Sequence, residues 1–158
     1  YVHYTLMNDK RMDRLDKTIA IPTDAAETIK TFNLSITWLV INESWCGDAA
    51  QTLPVINKIA ALNDNINVKI VLRDENDALM NQFLTNGSRS IPKLIMVNNI
   101  SGEVLHTWGP KPSEAARMAN EYKRIHGKLS PEFRQELQIW YNKDKGENTL
   151  EDLLALLS

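Results

Sequence analysis

The chain has 158 residues, 43% hydrophobic and 24% charged, a length and balance that fit one globular domain able to bury a sizeable core. A net charge of -2 supplies no basic surface for nucleic acid or an anionic membrane, so neither is expected as a partner. No apolar run reaches membrane-spanning length and none near the start resembles a signal peptide, while Tyr1 in place of Met leaves a removed leader open.

Residues 10–17 are charged and are flanked or interleaved by Met7, Met12 and Leu15 at near-helical spacing, as in an N-terminal helix with one solvated face. Thr23 and Asp24 are placed to cap a helix running to about Thr31. Apolar runs of strand length follow at 35–42, 67–73, 93–98 and 103–108, with helical patterns at 49–62 and 76–86 between them. The first two strands, separated by a helix, are expected to pair in parallel through a right-handed crossover. The last two are joined by a hairpin-length link containing Gly102 and are expected to pair antiparallel, which makes the sheet mixed. Pro112, Ser113 and Glu114 open a helix that ends where His126 precedes Gly127. Ser130, Pro131 and Glu132 supply an N-cap, a proline at the first helical position and an acidic first turn. The helix they start should turn Phe133, Leu137, Ile139 and Trp140 inward. Thr149 and Asp152 resemble a capping box for a last helix rich in leucine. With no internal repeat and no low-complexity linker, residues 1–158 read as a single domain. Its core spans about 35–126, with helical extensions over 1–31 and 127–158.

Cys46, the only cysteine, lies in Ser44-Trp45-Cys46-Gly47-Asp48-Ala49, between the first strand and the helical pattern after it. One thiol cannot make an intramolecular disulfide, which points to a reducing, cytoplasmic setting. At a helix start, unpaired N–H groups and the positive end of the helix dipole favour a thiolate, so the position suits a nucleophile. The other reading of a lone cysteine is a small buried hydrophobe. Asp48 suits the first helical turn, yet a carboxylate about 6 Å from a thiolate opposes its ionisation by on the order of 1 kcal/mol. The thiol is therefore expected to be only modestly acidic. Pro54 falls inside the helical pattern, where a proline costs roughly 3 kcal/mol and should kink or break the helix.

Strand, Trp45-Cys46 at a helix start with Pro54 eight residues after the thiol, second strand, and Ser90-Ile91-Pro92 opening the third follow in that order. In these residues the chain resembles the thioredoxin family over about 35–126. The resemblance implies an α/β thioredoxin-like fold, a mixed central sheet flanked by helices, here with extra N- and C-terminal helices. It further implies that Cys46 is the catalytic nucleophile and that a cis Ile91-Pro92 bond faces it. Trp45, Gly47, Asp48, Ile91 and Pro92 would form the substrate-binding surface. More narrowly, Trp45-Cys46-Gly47-Asp48, Trp108-Gly109-Pro110 and the helical tail are similar to a bacterial branch of uncharacterised thioredoxin-like proteins.

Two departures bear on the chemistry. Ala49 stands where the family carries its resolving cysteine, so a mixed disulfide at Cys46 has no intramolecular thiol to release it. Val40 stands where thioredoxins carry a buried Asp. Two functions remain. One is a monothiol protein engaged in thiol–disulfide exchange, resolved by a low-molecular-weight thiol or a protein partner. The other is a redox-inactive module that keeps the fold and groove to bind a protein. Neither calls for a cofactor. The Cys-Gly-Phe-Ser motif of monothiol glutaredoxins is absent, so no iron–sulfur cluster is expected. His3, His106 and His126 lack metal-ligand spacing, so no metal is expected either. His106, in the last strand, is the candidate for a Cys–His pair, and Trp38 reads as core.

Overall fold

Four strands, β1 (Ile36–Asn42), β2 (Ile66–Leu72), β3 (Lys93–Asn98) and β4 (Val104–Trp108), lie in the order β2-β1-β3-β4. β1 pairs in parallel with β2, while β3 runs antiparallel to both β1 and β4. This is the mixed sheet that one crossover and one hairpin require. The computed structural model describes residues 2–158, apart from the side chains of Val2 and Tyr4. Tyr1, the first residue of the expected N-terminal extension, lies outside the described residues.

Seven helices among the described residues surround the sheet: α1 (Val2–Thr18), α2 (Thr23–Thr31), α3 (Gly47–Ala61), α4 (Asp77–Met80), α5 (Ser113–His126), α6 (Pro131–Asp144) and α7 (Glu147–Leu156). Because β1 is a central strand, Ile36, Trp38, Val40 and Ile41 are all fully buried, on both faces. Ile29 of α2, Val55, Ile56 and Ile59 of α3 and Leu153 of α7 join the same cluster. Each such side chain contributes about 1.5–3 kcal/mol through apolar burial. The leucine-rich tail thus completes the main core. A second cluster forms where Ala115 and Ala119 of α5 meet Phe133, Leu137 and Tyr141 of α6.

Several local expectations change. The helix expected over 76–86 is only the single turn of α4, and the chain beyond it reaches a turn closed by Thr85 and Ser88 in which Asn86 and Gly87 take positive φ, 51° and 79°. Pro54 leaves α3 unbroken through Ala61. Pro22 occupies the N-cap of α2, and Asp24 accepts from the N–H of Ala25 at 2.9 Å rather than capping in tandem with Thr23. Ser130 caps α6 as expected, accepting from the N–H of Phe133 at 3.1 Å. Ile139, expected inward, is exposed, and Tyr141 continues the buried stripe from Phe133 and Leu137 instead.

The capping box expected at Thr149 is absent. α7 starts earlier, behind Gly146 at φ 81°. A Cβ on Gly146 would sit 2.8 Å from the Val55 side chain, so this turn fits only glycine. Asp152 is thereby released from capping duty and ties α7 to the end of the sheet. Its carboxylate accepts from Trp108 Nε1 at 3.0 Å and from Ser113 N and Oγ, both at 2.7 Å.

Candidate active site

β1 ends in a loop that closes when Cys46 N donates to Glu43 O at 3.1 Å. Cys46 then takes the extended conformation of an N-cap (φ −76°, ψ 117°), and its carbonyl accepts the first helical bond, from Ala50 N at 3.3 Å. Across from it, the approach to β3 carries the cis Ile91-Pro92 peptide bond. Cys46 Sγ donates to Ile91 O at 3.3 Å, in a site that leaves the residue only 7% exposed. The expected site residues Trp45, Cys46, Gly47 and Asp48 thus lie on one loop and helix start, with the Ile91 carbonyl, which precedes Pro92, against the thiol. A second cis bond, Gly109-Pro110, follows β4. A Cβ on Gly109 would meet Pro92 O at 2.3 Å, so the backbones of the two proline loops touch directly.

Three residues that sequence reasoning did not single out complete the site. Arg73, in the 3₁₀ turn after β2, places its guanidinium 5.1 Å from the centroid of the half-buried Trp45 ring and donates to Arg89 O at 3.3 Å. Lys111 Nζ pairs with Asp48 Oδ2 at 2.9 Å. The Tyr141 hydroxyl donates to Asp48 Oδ1 at 2.8 Å. Lys111 comes from the loop before α5 and Tyr141 from α6, so the C-terminal extension reaches the helix start that carries the thiol. α1 covers another side of the same loop: Asn8 Nδ2 donates to Ser44 O at 3.0 Å, and Arg11 Nη1 lies 3.4 Å from where a Cβ of Gly47 would stand.

Burial pushes the Cys46 thiol up from its ordinary pKa, and the Asp48 carboxylate pushes in the same direction. The N–H groups of Ala49 and Asp48 and the charge of Lys111 pull the other way without overcoming desolvation. The expected modestly acidic thiol is therefore corrected: the helix start does stabilise the anion, but a site this dry costs the thiolate more. Tyr141 is held well above its usual range, first by burial and then by Asp48, so it stays protonated and donates. Arg73 is raised mainly by its bond to Asp74, with Cys46 among the smaller causes.

His106 lies opposite Met96 and lines a groove with Thr28, Phe32, Leu105 and Leu157. Among the described residues no hydrogen bond joins it to Cys46, so the Cys–His pairing weighed from sequence finds no support. Among the described residues no cluster of three or more His, Cys, Asp or Glu side chains converges on a metal-sized site, and no helix is long and apolar enough to cross a membrane.

Residues 1–123 match a family model described as thioredoxin. No curated protein matches the chain. A crystal structure of a protein of unknown function from Pseudomonas aeruginosa is similar with a TM-score of 0.74 and 17% identity, over 96% of this chain and 84% of that one. An HIV epitope-scaffold is similar with a TM-score of 0.70 and 16% identity, over 99% of this chain and 90% of that one. These likenesses show the thioredoxin-like α/β fold.

Proposed function

This chain belongs to the thioredoxin family, and from that premise we propose that it is a monothiol protein acting in thiol–disulfide exchange through Cys46. The observation that carries the reading is the position of Cys46 Sγ, at the N-cap of α3 and 3.3 Å from the carbonyl that precedes Pro92. In the first step Cys46 loses its proton, and its sulfur attacks one sulfur of a disulfide R–S–S–R′. The Cys46–S bond forms, the old S–S bond breaks, and R′S⁻ leaves and takes up a proton. Trp45, Gly47, Asp48, Ile91 and Pro92 line the approach. In the second step an external thiol R″SH attacks the mixed disulfide, restoring the Cys46 thiol and releasing R–S–S–R″.

The environment of the thiol sets the tempo of both steps. A raised pKa leaves little thiolate at neutral pH, yet the thiolate that forms is a stronger nucleophile and a poorer leaving group. Ala49 supplies no resolving sulfur. The adduct is therefore slow to form and slow to leave, which suits a protein that holds a thiol partner rather than one that turns over rapidly. We assign the protein to the cytoplasm, where low-molecular-weight thiols are abundant enough to resolve it, and residues 1–158 to one domain.

Challenge of the full chain with oxidised glutathione, followed by intact-mass measurement, tests the reading. One glutathione adduct is expected on the native protein, removed by dithiothreitol and absent from Cys46→Ser. A native chain that gains no adduct overturns thiol exchange and leaves the redox-inactive binding module, which the 7% exposure of Cys46 favours.

A further inference from the structure

Between α1 and α6 lies a cleft of about 330 Å³ lined by Lys10, Arg11, Arg14, Gln138 and Asn142. Its lining holds three cations, two amides and no carboxylate. Among the described residues no acidic side chain pairs with any of the three cations. Arg14, on an exposed helix face, is solvated by water, but Arg11 is partly buried, and both burial and the neighbouring Arg14 work against its charge. Arg11 Nη1 donates to the amide oxygen of Asn8 at 3.1 Å. Asn142 Oδ1 already accepts from Arg14 and, at 2.9 Å, from Gln138 Nε2, so the amide group of Asn142 is left presenting donors. Gln138 is itself fixed, because its Oε1 accepts from Gln51 Nε2 of α3 at 3.2 Å.

The cleft is therefore a set of donors held by three helices around an unbalanced positive charge, and it borders the residue that follows the thiol. Arg11 Nη1 stands 3.4 Å from the position of a Gly47 Cβ, and Gly47 follows Cys46 directly. We propose that this cleft binds the carboxylate of a small carboxylated thiol whose sulfur exchanges at Cys46, with Arg11 and Arg14 as the anchoring cations. Guanidinium groups match a carboxylate bidentately, whereas an ammonium such as Lys10 adds only a point charge. The volume suits a small molecule and not a protein segment. The same donors would also accept inorganic phosphate, which supplies the oxyanion without the thiol. The proposal rests on the exchange reading for its choice of ligand.

Isothermal titration of S-methylglutathione and of inorganic phosphate into the full chain separates the cases, since the thioether carries the carboxylates but cannot exchange. S-methylglutathione is expected to bind at one site, more tightly than phosphate, and to lose about tenfold or more in affinity in Arg11→Gln/Arg14→Gln. Arg14→Gln alone, at an exposed position, serves as the variant that preserves the fold and is expected to weaken binding in the same direction. No binding of S-methylglutathione, affinity untouched by both variants, or phosphate binding as tightly as the tripeptide would overturn the proposal. Binding that responds to the arginines without any Cys46 adduct would retain the cleft and sink the exchange reading. An adduct that forms equally fast in the double variant, with no S-methylglutathione binding, would do the reverse.

Discussion

Asp48 is the residue on which the thiol's behaviour turns. Its carboxylate destabilises the Cys46 thiolate, while Lys111, held 2.9 Å from it, offsets part of that effect and Tyr141 fixes its orientation. Asp48→Asn removes the anion and leaves the Lys111 charge facing the site, and both changes favour thiolate. Lys111→Met acts in the opposite sense. Iodoacetamide alkylation of Cys46 across pH is accordingly expected to show a midpoint above that of an unstructured cysteine peptide. At pH 7 the rate should be severalfold faster in Asp48→Asn and slower in Lys111→Met. A native midpoint below the peptide's, or a slower Asp48→Asn, would contradict the assigned electrostatics. The sequence placed Asp48 beside the thiol and named its repulsion. It could not reveal Lys111 and Tyr141, which stand 63 and 93 residues away along the chain.

At the scale of elements, periodicity located all four strands to within a residue or two, because β1 and β3 are apolar on both faces and stand out from their polar links. α5 and α6 were legible from Pro and Ser at their starts. Where the structure departs from the helical pattern, a local turn or a tertiary contact outweighs it. The run after Asn76 has helical spacing but holds Asn86 and Gly87 in a left-handed turn. Asp152 has the spacing of a capping residue, yet three donors from Trp108 and Ser113 claim its carboxylate. Asp152→Ala leaves those donors unmatched between β4, α5 and α7 and is expected to cost about 2–3 kcal/mol in urea unfolding. A change below about 0.5 kcal/mol, the scale of an ordinary surface substitution, would show the junction to be incidental.

For the whole molecule, the family resemblance read over 35–126 captured the sheet, the thiol at a helix start and Pro92 beside it. What it did not convey is how the extensions use that frame. α7 fills the core with Leu150, Leu153 and Leu157, α6 delivers Tyr141 to Asp48, and α1 fastens Asn8 to the thiol loop. Additions of this kind carry few local signals, since their contacts are to residues distant in sequence. Cys46, at a helix start and in principle acidic, is a buried thiol with a raised pKa, and Ala49 leaves it no internal resolving partner. On the proposed reading, Cys46 forms a mixed disulfide that only an outside thiol can release. The direct test is a chase: the glutathione adduct is formed, free thiol is removed, and its decay is followed by mass against added glutathione. The adduct is expected to persist without added thiol and to decay at a rate proportional to the glutathione concentration. Decay at the same rate without added thiol, or no adduct to follow, would contradict it.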